Sequence, residues 1–230
     1  SALMAAAAGG HVEVVDALIR AGTDRALTRE STHLETVRLQ HSLLDAANHR
    51  GNTALIEAAR NGLAEVMQRL LEAGARPSLR GMRGRTALHW SAERGDREGV
   101  EMLVWHGVLV NSRDDCGLRA LDAAERAKQW ELARVIARAS VVEAARNGDV
   151  RLIRVLLKKG TEVNCRDRYG STPLIEAAKH HKVEAFIELL SAKADLNPQT
   201  KRGETALMWA AGWASAVCVW LTVMGPGDCA

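Results

Sequence analysis

The triplet Thr53-Ala-Leu returns as Thr86-Ala-Leu and then as Arg119-Ala-Leu, each time 33 residues further on. Thr172-Pro-Leu returns as Thr205-Ala-Leu at the same spacing of 33, and the opening Ser1-Ala-Leu fits the same template. A fixed period of this length marks a repeat architecture. It constrains the fold more than any other feature, because one such unit is too small to bury its own apolar face. Stability then comes from neighbouring units stacked layer on layer.

The block that begins at Thr53 shows how one unit folds. The Thr53 hydroxyl is suited to cap a helix. The next position is Ala54 here and Pro173 in a sister block, and proline is tolerated at the first helical position. Ala58 and Ala59 are small, so a neighbouring helix can approach closely. Gly62 breaks the chain, and a second helix carries one apolar stripe of Leu63, Val66, Met67, Leu70 and Leu71. Gly74 is placed to end it in a left-handed conformation. The small pair recurs as Ala6-Ala7, Ser91-Ala92, Ala144-Ala145, Ala177-Ala178 and Ala210-Ala211. The inter-helix glycine recurs as Gly10, Gly95 and Gly148, and the terminating glycine as Gly22, Gly107 and Gly160. An aromatic content of only 3% agrees with thin layers filled by Ala and Leu.

On these residues the chain resembles the ankyrin repeat family. The motifs are Gly51-Asn-Thr-Ala-Leu with Ala58-Ala59 and Gly62, Thr86-Ala-Leu-His89, and Gly10-His11-Val-Glu13-Val-Val. Gly74-Ala75 and Gly160-Thr-Glu-Val-Asn164 match the segment that leads into the family's β-hairpin finger. The resemblance covers most of residues 1–212. It implies an all-α fold, an ankyrin-repeat solenoid of about seven helix-turn-helix repeats with short β-hairpin fingers. The family's pattern also implies a turn-bonding role for His89 and a structural one for His11. It marks Asn111, Asn164 and Asn197 as finger-leading positions at which some members are hydroxylated.

Three departures shape the domain reading. Roughly 18 residues, Arg25 to Ser42, are extra between the first two blocks; Thr32-His-Leu-Glu35 has capping-box spacing, and a short helix or a loop both remain open. The block from Arg119 to Arg138 runs into the next helix without a finger, and Ser140-Val-Val-Glu143 reads as a fresh capping box. The expectation is a first array over 1–139, with four repeats and the insertion near 25–42, and a second over 140–230, with three. The last repeat is degenerate: Thr222 sits at a core position, and Trp213 and Trp220 sit at exposed ones.

No G-x-S-x-G, G-x-x-x-x-G-K or H-E-x-x-H motif occurs. Glu57 and Glu176 lie in separate blocks, so they do not converge as an acid–base pair. The reading is therefore non-enzymatic, with no cofactor and no metal. Cys116, Cys165, Cys218 and Cys229 show no ligand spacing and read as reduced thiols of a cytoplasmic or nuclear protein. No segment has the roughly 18 consecutive apolar residues a span needs, and Ser1-Ala-Leu-Met lacks the features of a secretory signal.

The resemblance places partner contacts on the finger tips and the exposed ends of the inner helices. The inner-helix positions are Arg60 and Asn61, Glu93 and Arg94, Arg126 and Ala127, Arg146 and Asn147, and Lys179 and His180. The finger positions include Arg83, Arg85, Arg113, Arg168, Tyr169 and Arg202. A formal net charge of +3 thus hides a basic edge. One sign of charge along a concave surface attracts the opposite sign, and Arg pairs carboxylates and phosphates in bidentate fashion. The expected role is a protein-interaction scaffold, monomeric, taking an acidic or phosphorylated segment of another protein in a basic concave groove. The alternatives are a nucleic-acid or phosphate-surface binder, or the targeting module of a larger enzyme. Nucleic acid is disfavoured because no aromatic platform interleaves the basic residues.

Overall fold

The computed structural model describes residues 1–27 and 42–211. The expectations for Thr32–Glu35, Trp213, Trp220 and Thr222 fall outside the described residues. The chain divides into two compact units, Ser1–Ala133 and Arg134–Ala230.

In the first unit the inner helices Ala2–Gly9, Ala54–Asn61, Ala87–Arg94 and Ala120–Arg126 pack on one another in chain order. The outer helices Val12–Leu27, Ala64–Glu72 and Arg97–Trp105 form a second layer against them. Ala2–Gly9 packs directly on Ala54–Asn61 although the two are separated by more than one repeat length in the chain. In the second unit Pro173–Lys179 packs on Ala206–Ala211, and Val150–Lys158 packs on Val183–Ser191.

The core follows the repeat register. Leu55, Leu88, Leu121 and Leu174 occupy the same position in four blocks and all are buried. So are the small pairs Ala58-Ala59 and Ala177-Ala178, which let the inner helices close on each other. On the outer helix Val66, Met67, Leu70 and Leu71 are buried as one stripe. Each fully buried leucine contributes about 2 kcal/mol.

The caps carry the same logic. Thr53 Oγ1 accepts from Ile56 N at 3.4 Å, and Thr172 Oγ1 accepts from Ile175 N at 3.3 Å with Pro173 in the first turn. His89 Nδ1 accepts from Thr86 N at 3.2 Å, and its Nε2 reaches Leu118 O at 3.1 Å. Nδ1 as acceptor leaves the proton on Nε2, so the ring ties one helix start to the next finger. Where the threonine is missing, Asp122 accepts from Arg119 N at 2.9 Å.

Two expectations are corrected. Gly22 does not end the first outer helix, which runs on to Leu27. The glycine serves close approach instead: a Cβ there would stand 2.5 Å from Leu43 Cδ2. Ser140 does not cap a helix either, since Trp130–Asn147 is one continuous helix of 18 residues. No Gly or Pro interrupts Trp130 to Asn147, so nothing breaks the run where the finger is missing.

The turn between the paired helices needs a positive φ. Gly62 supplies it at 72° and Gly95 at 76°. Counting from each block's start, Lys128 (φ 58°) and His181 (φ 57°) hold the equivalent place, and Lys193 (φ 61°) holds the later one of Gly74. A left-handed residue with a Cβ costs roughly 1–2 kcal/mol. A cation at a helix C-terminus regains about 0.3–1 kcal/mol from the helix dipole. Strain therefore exceeds compensation at these positions.

Candidate functional site

The finger tips are built on one local device. Asn48, Asp114, Asp167 and Thr200 each accept from the backbone N–H two and four residues on; for Asp114 these are Cys116 N and Leu118 N, both at 2.9 Å. Side chains of this kind mimic a backbone turn. The turn then closes on a glycine, as in Gly51 N to Asn48 O at 2.8 Å and Gly117 N to Asp114 O at 2.9 Å. The fingers are thus tight turns rather than the expected short β-hairpins, since the described residues hold no strand and Arg113–Arg119 is an isolated antiparallel bridge. Gly81 has no side chain to accept, and in that finger Asn52 Oδ1 instead takes Met82 N at 2.8 Å.

Several arginines of the basic edge are engaged within the fold. Arg80, Arg113 and Arg166 each donate to the carbonyl of the finger glycine four residues on, at 3.0, 2.7 and 3.5 Å. Arg80 also meets Asp115 at 3.1 Å, and Arg166 donates to Gln199 O in the next finger at 2.9 Å. The recurrent Arg-x-x-x-Gly spacing was visible in the chain and is a structural lock rather than a free surface charge. Arg83 is exposed at its tip with φ 60°, and its carbonyl accepts from Asp115 N at 3.0 Å.

At the inner-helix ends the candidates divide by partner. Arg60 lies 3.4 Å from Glu57, whose carboxylate also accepts from Asn48 and Asn52. Asn61 donates to Ala8 O at 3.0 Å. Arg85 pairs with Glu93 and lies 3.6 Å from Asp114. Arg94 donates to Arg60 O at 3.2 Å, at the C-terminus of the preceding inner helix, and has no carboxylate partner among the described residues. The Arg126 side chain is exposed and has no hydrogen bond or ion pair among the described residues.

In the second unit Arg146 Nε donates to buried Glu176 at 2.8 Å and lies 3.9 Å from Asp167. Burial pushes the Glu176 carboxyl up, but the Arg146 bond and charge, with Lys179 nearby, outweigh it and leave the group below its ordinary range. His180 stands 3.5 Å from Glu176; desolvation of the ring outweighs that carboxylate and holds its pKa below the usual imidazole value. Asn147 and Arg202 are exposed. Arg168 stacks on exposed Tyr169 at 4.6 Å.

Trp90 and Trp209 hold the same place in two blocks, one in each unit. Arg85 and Arg60 lie 4.7 and 5.7 Å from the Trp90 ring centre, and Lys179 lies 5.7 Å from that of Trp209. Both indole N–H groups are buried without an acceptor among the described residues. Each ring thus packs against the cations beside it. Asn164 Oδ1 accepts from Asp195 N at 2.9 Å, which gives that asparagine a structural bond.

Cys116 and Cys165 are free thiols, and burial pushes Cys165 up to about 12. Among the described residues no cluster of three His, Cys, Asp or Glu side chains is placed to hold a metal. Nor is any described helix long and apolar enough to cross a membrane.

Comparison with known proteins agrees with this architecture. A family model described as "Ankyrin repeats (3 copies)" matches residues 1–114 and 141–225. The interruption brackets the block that lacks a finger. The potassium channel AKT2/3 of Arabidopsis thaliana is 29% identical over 62% of this chain and 19% of its own length. The ankyrin repeat domain-containing protein SAT10 of Stachybotrys chartarum is 29% identical over 98% of this chain and 11% of its own length. Human neurogenic locus notch homolog protein 1 is 31% identical over 74% of this chain and 6% of its own. The chain thus spans a fifth or less of these curated relatives. Among solved structures, the ankyrin repeat domain of Bcl-3 aligns with a TM-score of 0.52 at 23% identity, covering 91% of this chain and 93% of that one.

Proposed function

Given that the chain belongs to the ankyrin repeat family, we propose that it is a non-catalytic interaction module whose inner-helix ends and finger tips take an acidic or phosphorylated segment of another protein. Ankyrin repeats generally mediate protein–protein interaction. The observation that carries the finer reading is the distribution of partners among the cations. Glu57, Glu93, Asp114 and Glu176 are already engaged within the fold, whereas Arg94 and Arg126 face solvent without a carboxylate partner among the described residues. Unneutralised cations along one edge raise the encounter rate with an acidic partner. The reading includes a monomer in the cytoplasm or nucleus, consistent with free thiols.

The test compares two charge reversals in the full chain. Changing Arg94 and Arg126 to Glu removes the free cations of the inner edge. Changing Arg97 and Arg151 to Glu makes the same charge change on outer helices. Loss of a captured partner by the first variant only supports the proposal, and equal loss by both refutes it. Retention on a nucleic-acid column with steep salt dependence, and no protein partner, would replace it with the nucleic-acid reading.

A further inference from the structure

Lys128 poses a question that the repeat pattern does not answer. Its place is held by Gly62, Gly95 and Gly148 in sister blocks, each with positive φ. Lys128 adopts φ 58° there, is exposed, and lies two residues beyond Arg126, whose side chain has no partner among the described residues, at the end of the same inner helix, Ala120–Arg126. The helix dipole returns less than the backbone strain costs. Persistent strain at a surface position points to a use for the side chain rather than for the turn.

Arg94 completes the set. It is fixed over the turn at Gly62, where an added Cβ would stand 2.9 Å from its Nε, and it gives one N–H to Arg60 O. The guanidinium has five N–H donors, so most remain open to a ligand. The acid nearest in sequence, Glu93, is tied to Arg85.

We infer that Arg94, Arg126 and Lys128 form a carboxylate-recognition edge in the first unit, and that Lys128 keeps its strained turn for the sake of its charge. This rests on the acidic-partner reading and narrows it to three residues. Adjacent inner helices lie about 8–10 Å apart. A polyproline II segment returns every third side chain to the same face and advances about 3.1 Å per residue, roughly 9 Å per turn. The matching ligand is therefore a carboxylate-bearing segment in that conformation with acids at every third residue. Cations distributed over successive blocks suit such a row better than one convergent dianion.

The experiment uses the full chain and two labelled peptides of equal composition, read by fluorescence anisotropy at low salt. One carries Glu at every third position among Gly and Ser; the other carries the same glutamates in one block. Wild type should prefer the spaced peptide. Lys128→Gly should raise the denaturation midpoint and yet weaken that peptide about threefold, in the range of one exposed ion pair. Arg126→Gln should weaken it similarly without moving the midpoint. A Lys128→Gly variant that is more stable but binds unchanged overturns the inference, and so does one that is less stable. Equal binding of the two peptides overturns it too. In these cases measurable binding by wild type leaves the broader acidic-partner reading standing; no binding to either peptide removes both.

Discussion

Arg146 and Arg126 stand near the ends of their inner helices, yet the fold gives them different work, and Arg146→Ala separates the two. Arg146 Nε donates at 2.8 Å to Glu176, which is only 3% exposed. Removing one partner of a buried pair strands a charge and can cost 3–5 kcal/mol. Here the Arg146 side chain is 42% exposed, so water screens part of the interaction. His180 and Lys179 also remain near the carboxylate. The discounted cost is about 2 kcal/mol. Arg126→Ala removes no described contact and should stay within about 0.5 kcal/mol.

Urea denaturation of both variants, with the slope held unchanged, reads the difference directly. A cycle with Glu176→Gln should give a coupling of about 1–2 kcal/mol. Glu176 titrates below the ordinary carboxylate range when folded. Its contribution is present above the unfolded pKa and is lost as pH falls from there through the lower folded pKa. Arg146→Ala should therefore shrink the acid limb of the stability curve. Equal midpoints for Arg146→Ala and Arg126→Ala would refute the assignment of Arg146 to the fold.

Lys193→Gly, relieving φ 61°, should raise stability by about 1 kcal/mol in the same denaturation assay. Gly22→Ala, a change that ordinarily stabilises a helix by about 1 kcal/mol, should fall short of that gain, because the new Cβ stands 2.5 Å from a terminal methyl of half-buried Leu43, which must move. The full gain in a urea titration would refute that packing. Burial holds the His89 imidazole below its ordinary value of 6.5. The neutral ring thus contributes stability above that value, and it is lost as pH falls through the unfolded and then the folded pKa. Replacing His89 with Gln should lower stability by about 1–2 kcal/mol at neutral pH and flatten the dependence below pH 6.5, as followed by circular dichroism.

Much of the fold was legible because one signal is written several times. Threonine or its substitute opens a block, a small pair follows, and a left-handed turn comes next. Agreement among blocks fixed the helices before any contact was known. The missing finger after Arg138 was legible too, since the count from Arg119 to Thr172 exceeds one period by less than another. Its consequence was not: the Ser140 capping spacing has no force inside Trp130–Asn147, where the backbone N–H groups already have helical acceptors.

The candidate edge was read less completely. Arg146 meets Glu176 thirty residues on, and Arg94 meets a backbone carbonyl of the preceding block. Pairing of this kind depends on how blocks stack, so residue type alone marked Arg60, Arg94, Arg126 and Arg146 as equals. The Arg-x-x-x-Gly locks of Arg80, Arg113 and Arg166 stand in the chain as a repeated spacing, which residue type alone does not separate from free charge. Lys128 and His181 were equally accessible, by counting from the block start to a turn that wants glycine.

Hydrogen exchange on the full chain, with and without the spaced-glutamate peptide, tests the central claim most directly. Slower exchange at the inner-helix ends near Arg94 and Arg126 and in the turns around Gly84 and Gly117, with the outer helices unchanged, is the predicted result. Protection confined to Ala64–Glu72 and Arg97–Trp105 would contradict it.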